Sequence, residues 1–346
     1  MKINNMIRPD LKDIKPYSSA RDEYKGKGGI YLDANENPFD NGVNRYPDPL
    51  QLELKRKVAQ IKSVKEDEVF FGNGSDECID LLIRLFCVPK KDEVVMLSPS
   101  YGMYDVSAKI NQVKTIQVSL NKDFTLDIAK LLKKGENAKI MFICSPNNPT
   151  GNAFSKKEII SILKKFNGIV VVDEAYVDFS KEGTMLTELN KYKNLIVTQT
   201  FSKAYGMAGL RLGILFASSE IIAWLNKIKP PYNINQLTQI EALKRLENLD
   251  EVQNQIKTIL FERIRLETKL IQFDEVEKVY NSDSNFILLK VKSADDVYNY
   301  LIENKIIVRN RNKQPLCDNC IRITVGTKKE NDFLLKKLKE FSIKNK

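Results

Sequence analysis

Thr198-Gln-Thr-Phe-Ser-Lys-Ala-Tyr-Gly-Met-Ala-Gly-Leu-Arg-Leu-Gly213 is the stretch of sequence on which the prediction of the fold depends. The apolar run just before it, Leu195 to Val197, predicts a buried strand that ends near Thr200. Lys203 would then follow the carboxyl end of a strand, where doubly wound α/β sheets bind ligands. In an enclosed site its pKa falls, and its amine can attack an aldehyde to form an imine. A lysine in a glycine-rich loop is more often a solvated surface residue. Residues at the other strand ends are therefore needed to distinguish a ligand-binding lysine from a surface lysine.

Two segments of the chain are suited to bind a phosphate group. The first, Val69-Phe-Phe-Gly-Asn-Gly-Ser-Asp-Glu77, predicts a strand, a glycine turn and a helix start, so the backbone N–H groups of Ser75 and Asp76 point at one spot. The second contains Ser202 and Arg211, and an arginine can bind a phosphate through two parallel hydrogen bonds. The first pattern is also a common structural turn, so alone it does not establish a ligand site.

Three further predicted strands end in aromatic or polar residues. Tyr101 follows the strand Glu93 to Leu97 and is suited either to stack on a planar cofactor or to fill the core. Asn148 lies in a turn rich in Pro and Asn after the strand Lys139 to Cys144, where it can donate a hydrogen bond. Asp173 ends an apolar run of valines, so burial requires a cationic partner for it. A protonated pyridine nitrogen and a structural salt bridge fit that requirement equally well.

The N-terminal segment is predicted to be an arm followed by a short strand. Residues 1–30 contain proline and glycine breaks and are interpreted as the arm, and the short strand begins at Tyr31. A helix is expected from about Leu50 to Ile61. Before it, Tyr46 is interpreted either as a functional finger or as a loop residue that packs on its own domain.

The C-terminal third of the chain is predicted to change from helices to an α+β region. Long helices are expected from about Ile240 to Leu270. The elements predicted after them are strands at Val276 to Tyr280, Asn285 to Val291, Ile306 to Val308 and Cys320 to Val325, with helices at Ala294 to Glu303 and at the lysine-rich end. Arg309 and Arg322 lie at strands in this region. They are candidates for anion binding, and exposed sheet arginines are the equally frequent alternative.

The composition excludes several classes of enzyme. The 346 residues contain no histidine, which excludes Ser-His-Asp and Cys-His hydrolases and histidine-based metal enzymes. The net charge is +10, but the cationic residues are spread among acids, which favours solvated helix faces over a nucleic-acid site. Cys317 and Cys320 have no second pair and the chain has no histidine, which argues against zinc, and an odd number of cysteines argues against a disulfide framework. No segment resembles a signal peptide or a bilayer span, so a cytoplasmic protein without a membrane partner is expected.

Motifs along the whole chain resemble, in order, those of the pyridoxal-phosphate-dependent aminotransferases of fold type I. They are Leu32-Asp-Ala-Asn-Glu-Asn-Pro38, Arg45-Tyr-Pro47, Gly74-Ser-Asp-Glu77, Tyr101-Gly-Met-Tyr104, Ser145-Pro-Asn-Asn-Pro-Thr-Gly151, Asp173-Glu-Ala-Tyr176, Ser202-Lys-Ala204, Gly209-Leu-Arg-Leu-Gly213 and Arg322-Ile-Thr-Val-Gly326. The resemblance implies an α/β fold. In it, residues 31–240 form a large domain on a mostly parallel seven-stranded sheet flanked by helices, and residues 241–346 form a smaller α+β domain. The arm, residues 1–30, would pack with the small domain or a partner subunit.

The resemblance also implies a role for each motif residue. Lys203 corresponds to the lysine that binds pyridoxal 5′-phosphate covalently and later acts as a general acid and base, and Asp173 to the partner of the pyridine nitrogen. The residues expected to hold the cofactor phosphate are Ser75, Asp76, Ser202 and Arg211. The residues expected at the ring and its phenolic oxygen are Tyr101, Asn148 and Tyr176. Tyr46 corresponds to a tyrosine that crosses from the second subunit of a homodimer to the cofactor phosphate. The residues expected to contact substrate are Tyr17, Asn148, Arg309 and Arg322.

Within this family, the motifs are most similar to those of enzymes that act on histidinol phosphate. They imply that histidinol phosphate and 2-oxoglutarate are converted to imidazole-acetol phosphate and glutamate, in histidine biosynthesis. An aromatic amino acid aminotransferase and a phosphothreonine decarboxylase of the same fold are the alternatives. A cofactor-sensing transcription regulator would need a DNA-binding module ahead of the first motif, and about 30 residues are too few for one.

Overall fold

The computed structural model describes residues 2–15 and 29–344, and its larger sheet has seven strands. They are β1 (Val69–Asn73), β2 (Glu93–Ser98), β3 (Lys114–Ser119), β4 (Ile140–Cys144), β5 (Ile169–Asp173), β6 (Leu195–Thr200) and β7 (Leu212–Phe216). Their order across the sheet is β1-β7-β6-β5-β4-β2-β3. Strand β7 is antiparallel to both of its neighbours, whereas all pairs from β6 to β3 are parallel. The predicted mostly parallel seven-stranded sheet is therefore confirmed.

Helices cover both faces of this sheet because its central strands are apolar on both sides. In β5, Val170 and Val172 face one helical layer, whereas Ile169 and Val171 face the other. The helices are α1 (Leu52–Lys62), α2 (Ser75–Phe86), α3 (Met103–Ile110), α4 (Ile128–Lys134), α5 (Lys156–Lys165), α6 (Ser219–Ile228) and α7 (Gln236–Leu246). Helices α2, α3 and α6 form one layer, and α1, α4, α5 and α7 the other. The fold is thus α/β, as predicted.

A long helix, α8 (Leu249–Leu270), leads from the large sheet to a second, four-stranded antiparallel sheet. Its strands are β8 (Val276–Val279), β9 (Phe286–Val291), β10 (Arg309–Asn310) and β11 (Cys320–Thr324), in the order β10-β11-β9-β8. Helices α9 (Ala294–Glu303) and α10 (Lys328–Lys344) pack on one face of it with the end of α8. On the opposite face Phe286, Leu288 and Cys320 join the core of the large sheet. This face forms one side of a cleft.

Two predicted strands are wrong, and the sequence analysis names no strand at β3 or β7. The segment that begins at Tyr31 contains no strand, and Leu32 is 87% exposed, because no neighbouring strand pairs with it within the described ranges. The strand expected at Ile306 to Val308 is also absent. Lys305 takes φ +61° and the N–H of Ile306 donates to a carbonyl of α9, so Ile306 still belongs to the end of that helix. The actual strand is β10, which begins one residue later than the predicted strand ends.

Other predictions concern the chain as a whole. All five cysteines are free thiols, as predicted, and each is buried. None of the helices within residues 2–15 and 29–344 is long and apolar enough to cross a membrane. The domain boundaries near residues 30 and 240 and a location in the cytoplasm stay predictions.

Candidate active site

Most of the predicted site residues line one cavity at the carboxyl ends of β4, β5 and β6. The cavity has a volume of about 120 Å³. Nine residues singled out from the sequence line it, namely Ser75, Asp76, Tyr101, Asn148, Asp173, Tyr176, Ser202, Lys203 and Arg211. Parallel strands bring their carboxyl ends to the same edge of a sheet, which is why residues so distant in sequence meet here.

One end of the cavity is built from closely packed backbone. Helix α2 begins at Ser75 and has no side-chain cap at Gly74, so its first backbone N–H groups are left for a ligand. A Cβ atom on Gly213 would lie 2.3 Å from the Ser75 nitrogen, so only glycine fits behind the turn. Gly74 has φ +80°, and a Cβ atom on it would lie 2.7 Å from an Nη atom of Arg211. The glycines therefore allow the arginine to lie against the start of the helix.

Short-range contacts orient the side chains of this anion-binding end. Arg211 takes φ +54°, and its Nη2 lies 3.8 Å from Oδ2 of Asp76. The other oxygen of Asp76 accepts a 2.8 Å hydrogen bond from the hydroxyl of Tyr101. The N–H of Ser202 donates to the hydroxyl of Thr200, which in turn donates to the Ser202 oxygen at 3.0 Å. Contacts within the protein thus hold cation, acid and hydroxyl groups together at this end of the cavity.

Lys203 follows β6 and reaches into the cavity, where its side chain remains exposed through the mouth of the cleft. Its Nζ lies 5.8 Å from the centroid of the Tyr176 ring. Partial burial lowers the pKa of Lys203, and the positive charges of Arg322 and Arg211 lower that pKa further, whereas Asp173 raises it. The sequence predicted an enclosed lysine. The structure places it in an open cleft, where neighbouring cations add to the effect of desolvation.

Asp173 ends β5 and is 2% exposed. Its Oδ2 accepts a 2.6 Å hydrogen bond from the hydroxyl of Tyr104, and its Oδ1 accepts a 3.2 Å hydrogen bond from the N–H of Ala175. Burial raises the pKa of Asp173, and the bond from Tyr104 opposes that shift. Within the described ranges Asp173 forms no ion pair with a lysine or arginine, so the salt bridge considered as an alternative has no partner there. A cationic ligand group would stabilise its charged form.

Asn148 connects the two sides of the cleft. Its Nδ2 donates to the hydroxyl of Tyr176 at 3.4 Å, and its Oδ1 accepts a short 2.5 Å hydrogen bond from Nη1 of Arg322. The guanidinium of Arg322 also lies 5.0 Å from the centroid of the Phe286 ring. Burial raises the pKa of Tyr176, so its hydroxyl stays protonated and able to donate. Arg322 therefore reaches from the small sheet to the edge of the cavity.

Two of the predicted site residues that the structure describes do not reach this cavity. Tyr46 is 50% exposed and stacks on Tyr232 with 4.5 Å between ring centroids, away from the site of its own chain. Arg309 lies opposite Arg322 in the β10–β11 pair, and its side chain is exposed. Tyr17 lies outside the described residues. The roles assigned to these three residues stay predictions.

Two residues beside the cavity were missed in the sequence analysis. Tyr104 is fully buried, contacts Tyr101 edge-on, and donates to Asp173. Its position three residues after Tyr101 is a helical spacing that could have revealed it. Arg311 is half-buried and has a buried Nε without a hydrogen-bond partner in the described ranges. It follows Arg309 by two residues, the period of a strand, which was the available signal.

The chain belongs to the aminotransferase class I and II family, whose model matches residues 33–338. Among its relatives, the histidinol-phosphate aminotransferase of Christiangramia forsetii is 52% identical over 341 residues, covering 98% of this chain and 97% of that protein. The histidinol-phosphate aminotransferase of Flavobacterium psychrophilum is 53% identical over 340 residues, covering 97% and 98%. The crystal structure of the histidinol-phosphate aminotransferase from Clostridium acetobutylicum matches with a TM-score of 0.81 at 24% identity, covering 87% of this chain and 92% of that one. The predicted family and fold are confirmed.

Proposed function

We propose that this chain is a pyridoxal-phosphate-dependent aminotransferase that converts histidinol phosphate and 2-oxoglutarate to imidazole-acetol phosphate and glutamate. The observation that carries the proposal is the meeting of a lysine amine, a buried carboxylate and an uncapped helix N-terminus in one cavity. Relatives that are 52% and 53% identical over nearly the whole chain bear the name of this activity, which supports the choice of substrate.

The cavity residues fit pyridoxal 5′-phosphate. The uncapped start of α2 and the two glycines behind it leave room for a phosphate group but not for a side chain. Asp173, which lacks a cationic partner in the described protein, would pair with the protonated ring nitrogen. The residues that would hold the phosphate are Ser75, Asp76, Ser202 and Arg211. Those that would contact the ring and its phenolic oxygen are Tyr101, Asn148 and Tyr176.

The protein's own groups bind the cofactor and move protons. When bound, the cofactor supplies an electron sink for negative charge that develops on the substrate carbon bearing the amine. Lys203 would hold the cofactor until a substrate amine replaces it. Its lowered pKa favours the neutral amine, which could then accept and return a proton. The catalytic set of Lys203, Asp173 and Tyr176 requires no histidine, in agreement with a chain that has none.

The small-sheet side of the cleft is suited to hold the anionic ends of two alternating substrates. Arg322 presents its guanidinium beside Asn148, and a guanidinium can bind either a phosphate or a carboxylate with paired hydrogen bonds. We propose Arg309 and Tyr17 as further substrate contacts. The support for Arg309 is its position directly opposite Arg322, and the support for Tyr17 is the family resemblance alone.

We also propose a homodimer in which Tyr46 of each subunit completes the cavity of the other. The side chain of Arg211 is 53% exposed, so the phosphate-binding end is open on one side. Tyr46 lines a separate groove of about 420 Å³, where Val43 and Leu237 are 54% and 60% exposed. Clustered exposed apolar side chains are typical of a protein contact. Sedimentation equilibrium should give the mass of two chains, and a monomer at working concentration would contradict the dimer.

Turnover tests the proposed function. Cofactor-loaded protein should form glutamate from histidinol phosphate and 2-oxoglutarate, and Lys203→Ala should not. Amino transfer from phenylalanine or tyrosine without turnover of histidinol phosphate would identify an aromatic amino acid aminotransferase instead. Release of CO₂ from phosphothreonine in the absence of 2-oxoglutarate would identify a decarboxylase.

A further inference from the structure

The side of the small sheet that faces the cleft carries three arginines. Arg309 pairs with Arg322 in the β10–β11 register, and the N–H of Arg311 donates to the Cys320 carbonyl at 2.8 Å, which continues the ladder. Side chains alternate between the two faces along a strand, so these arginines share one face. It is the face on which the buried Leu288 and Cys320 join the core of the large sheet.

Arg311 and Arg322, called here the cleft arginines, are not neutralised by acids within the described ranges. The Nε atom of each is buried without a hydrogen-bond partner there. Arg322 donates from Nη1 to the uncharged amide of Asn148. The side chain of Arg311 forms no hydrogen bond or ion pair with any described residue. Two guanidinium groups therefore keep unused donors and unbalanced charge.

Arginines elsewhere in the same part of the fold have acidic partners. Arg265 binds Glu262 and Asp332, each at 2.7 Å. Arg263 is more buried than the cleft arginines, and its Nε also forms no hydrogen bond, yet that atom lies 3.8 Å from a carboxylate oxygen of Glu267. Buried charges usually require such partners. The cleft arginines depart from this pattern, which indicates that their counter-charge comes from a ligand.

The charge of that ligand follows from the electrostatics. Burial and the neighbouring charges of Arg322 and Arg309 lower the pKa of Arg311 to about 10. Both cleft arginines are therefore protonated at neutral pH and repel each other. A single carboxylate neutralises one of them, whereas a phosphate monoester places about two negative charges and three acceptor oxygens on one group. The charges of Arg311 and Arg322 act on each other, and the two residues lie on one face of the sheet, so a phosphate monoester matches the pair better than a single carboxylate does.

We propose that Arg311 determines specificity by binding the phosphate group of the substrate together with Arg322. The identity of the phosphorylated substrate rests on the proposed function, but the phosphate-binding pair does not. Arg322 serves both substrates, whereas Arg311 contributes mainly when both charges lie on one phosphate. In glutamate the two negative charges lie on separate carboxylates. Loss of Arg311 should therefore impair one half-reaction more than the other.

Steady-state kinetics of three variants test this inference. In Arg311→Gln the KM for histidinol phosphate should rise about 10- to 100-fold, because a charge-assisted hydrogen bond is lost. The KM for glutamate should change less than about threefold, because its carboxylates rely on Arg322. Arg311→Lys should be intermediate, since lysine keeps the charge but not the two-pronged geometry. Lys313→Gln removes an exposed cation from the same loop and should match the unaltered enzyme.

Binding of inorganic phosphate tests the same pair without turnover. In the cofactor-loaded enzyme the phosphate-binding end at α2 is filled, so added phosphate reports on the cleft arginines. It should raise the midpoint of thermal unfolding of the unaltered enzyme and of Lys313→Gln, but not of Arg311→Gln. If Arg311→Gln loses the stabilisation by phosphate although the unaltered enzyme does not use histidinol phosphate, the proposed function is refuted and the inference stands. Unchanged phosphate stabilisation in Arg311→Gln, or an equal rise of both KM values, would overturn the inference.

Discussion

The cleft has a large-sheet wall, which carries Asp76, Asp173 and Arg211, and a small-sheet wall, which carries the cleft arginines. The two walls differ in how their charges are balanced. On the large-sheet wall, Asp76 lies 3.8 Å from Arg211, and Asp173 accepts a hydrogen bond from Tyr104. On the small-sheet wall, the cleft arginines have no acidic partner within the described ranges. The first wall carries charges of both signs, whereas the cleft arginines give the second wall only positive charge, which matches an anionic ligand.

This difference in charge corresponds to a different role for each wall. The large-sheet wall, with charges of both signs, suits the cofactor, which stays bound through every turnover. The small-sheet wall, with only positive charge, suits anionic substrates that bind one after the other. Substitutions on the large-sheet wall should therefore lower kcat, and substitutions on the small-sheet wall should mainly raise KM.

The largest effect is expected from Asp173 on the large-sheet wall, and the adjacent carboxylate of Glu174 provides the control. Asp173→Asn should lower kcat about 100- to 1,000-fold, because it removes the charge that faces the cavity. Glu174 instead accepts hydrogen bonds from Thr184, Met185 and Gln199 inside the protein. Glu174→Gln should therefore leave kcat within about tenfold but lower the free energy of unfolding by about 1–3 kcal/mol. Kinetics and urea unfolding of both variants check this, and a fully active Asp173→Asn would contradict it.

A smaller effect is expected on the opposite wall. Arg322→Gln should raise the KM for histidinol phosphate and for glutamate by about 10- to 100-fold each, because both anions lose a charged donor. The matched control is Lys313→Gln. If Arg322→Gln lowered kcat and left both KM values unchanged, the assignment of the small-sheet wall to substrate binding would be wrong.

The same variant should alter the titration of Lys203. The charge of Arg322 disfavours the ammonium form of Lys203 and so lowers its pKa. Removing that charge should raise the pKa, so the reaction of the cofactor-free protein with pyridoxal phosphate should need a higher pH in Arg322→Gln. The measurement is the rate at which the bound-cofactor absorbance appears as a function of pH. A midpoint that stays in place, or moves to lower pH, would show that the two walls are not electrostatically coupled.

The smallest effect is expected for Tyr104, which acts on the cofactor only through Asp173. Tyr104→Phe removes a donor that stabilises the charged carboxylate, so the pKa of Asp173 should rise. We expect a loss of about tenfold or less in kcat, accompanied by a shift in the pH titration of the bound-cofactor absorbance. Tyr300→Phe removes a hydroxyl that bonds to Glu340, outside the cavity, and is the control. An unshifted titration would mean that Tyr104 serves packing alone.

Much of the large-sheet wall could be predicted because its residues follow strand ends. The valines before Asp173 and the glycine turn before Ser75 give local signals, and the structure brings both residues to one cavity. Local signals failed where tertiary contacts decide. The apolar start of the segment at Tyr31 resembles a strand, but no other strand pairs with it in the described ranges.

The small-sheet wall was harder to predict for a similar reason. Which side of a sheet an arginine occupies depends on the strand register, and the strand was expected at Ile306 to Val308 instead of Arg309–Asn310. Arg311 was overlooked because its unpartnered Nε is visible only once the fold buries it. The role of Tyr104 has no local signal, since its hydrogen bond to Asp173 joins residues 69 positions apart.

The central claim is that the Lys203 amine binds the cofactor. Borohydride reduction of the cofactor-loaded protein, followed by peptide mapping, tests it most directly. We expect one modified peptide, which contains Lys203 and carries the mass of the reduced cofactor, and no modified peptide in Lys203→Ala. A modification at another lysine, or none at Lys203, would show that Lys203 does not bind the cofactor.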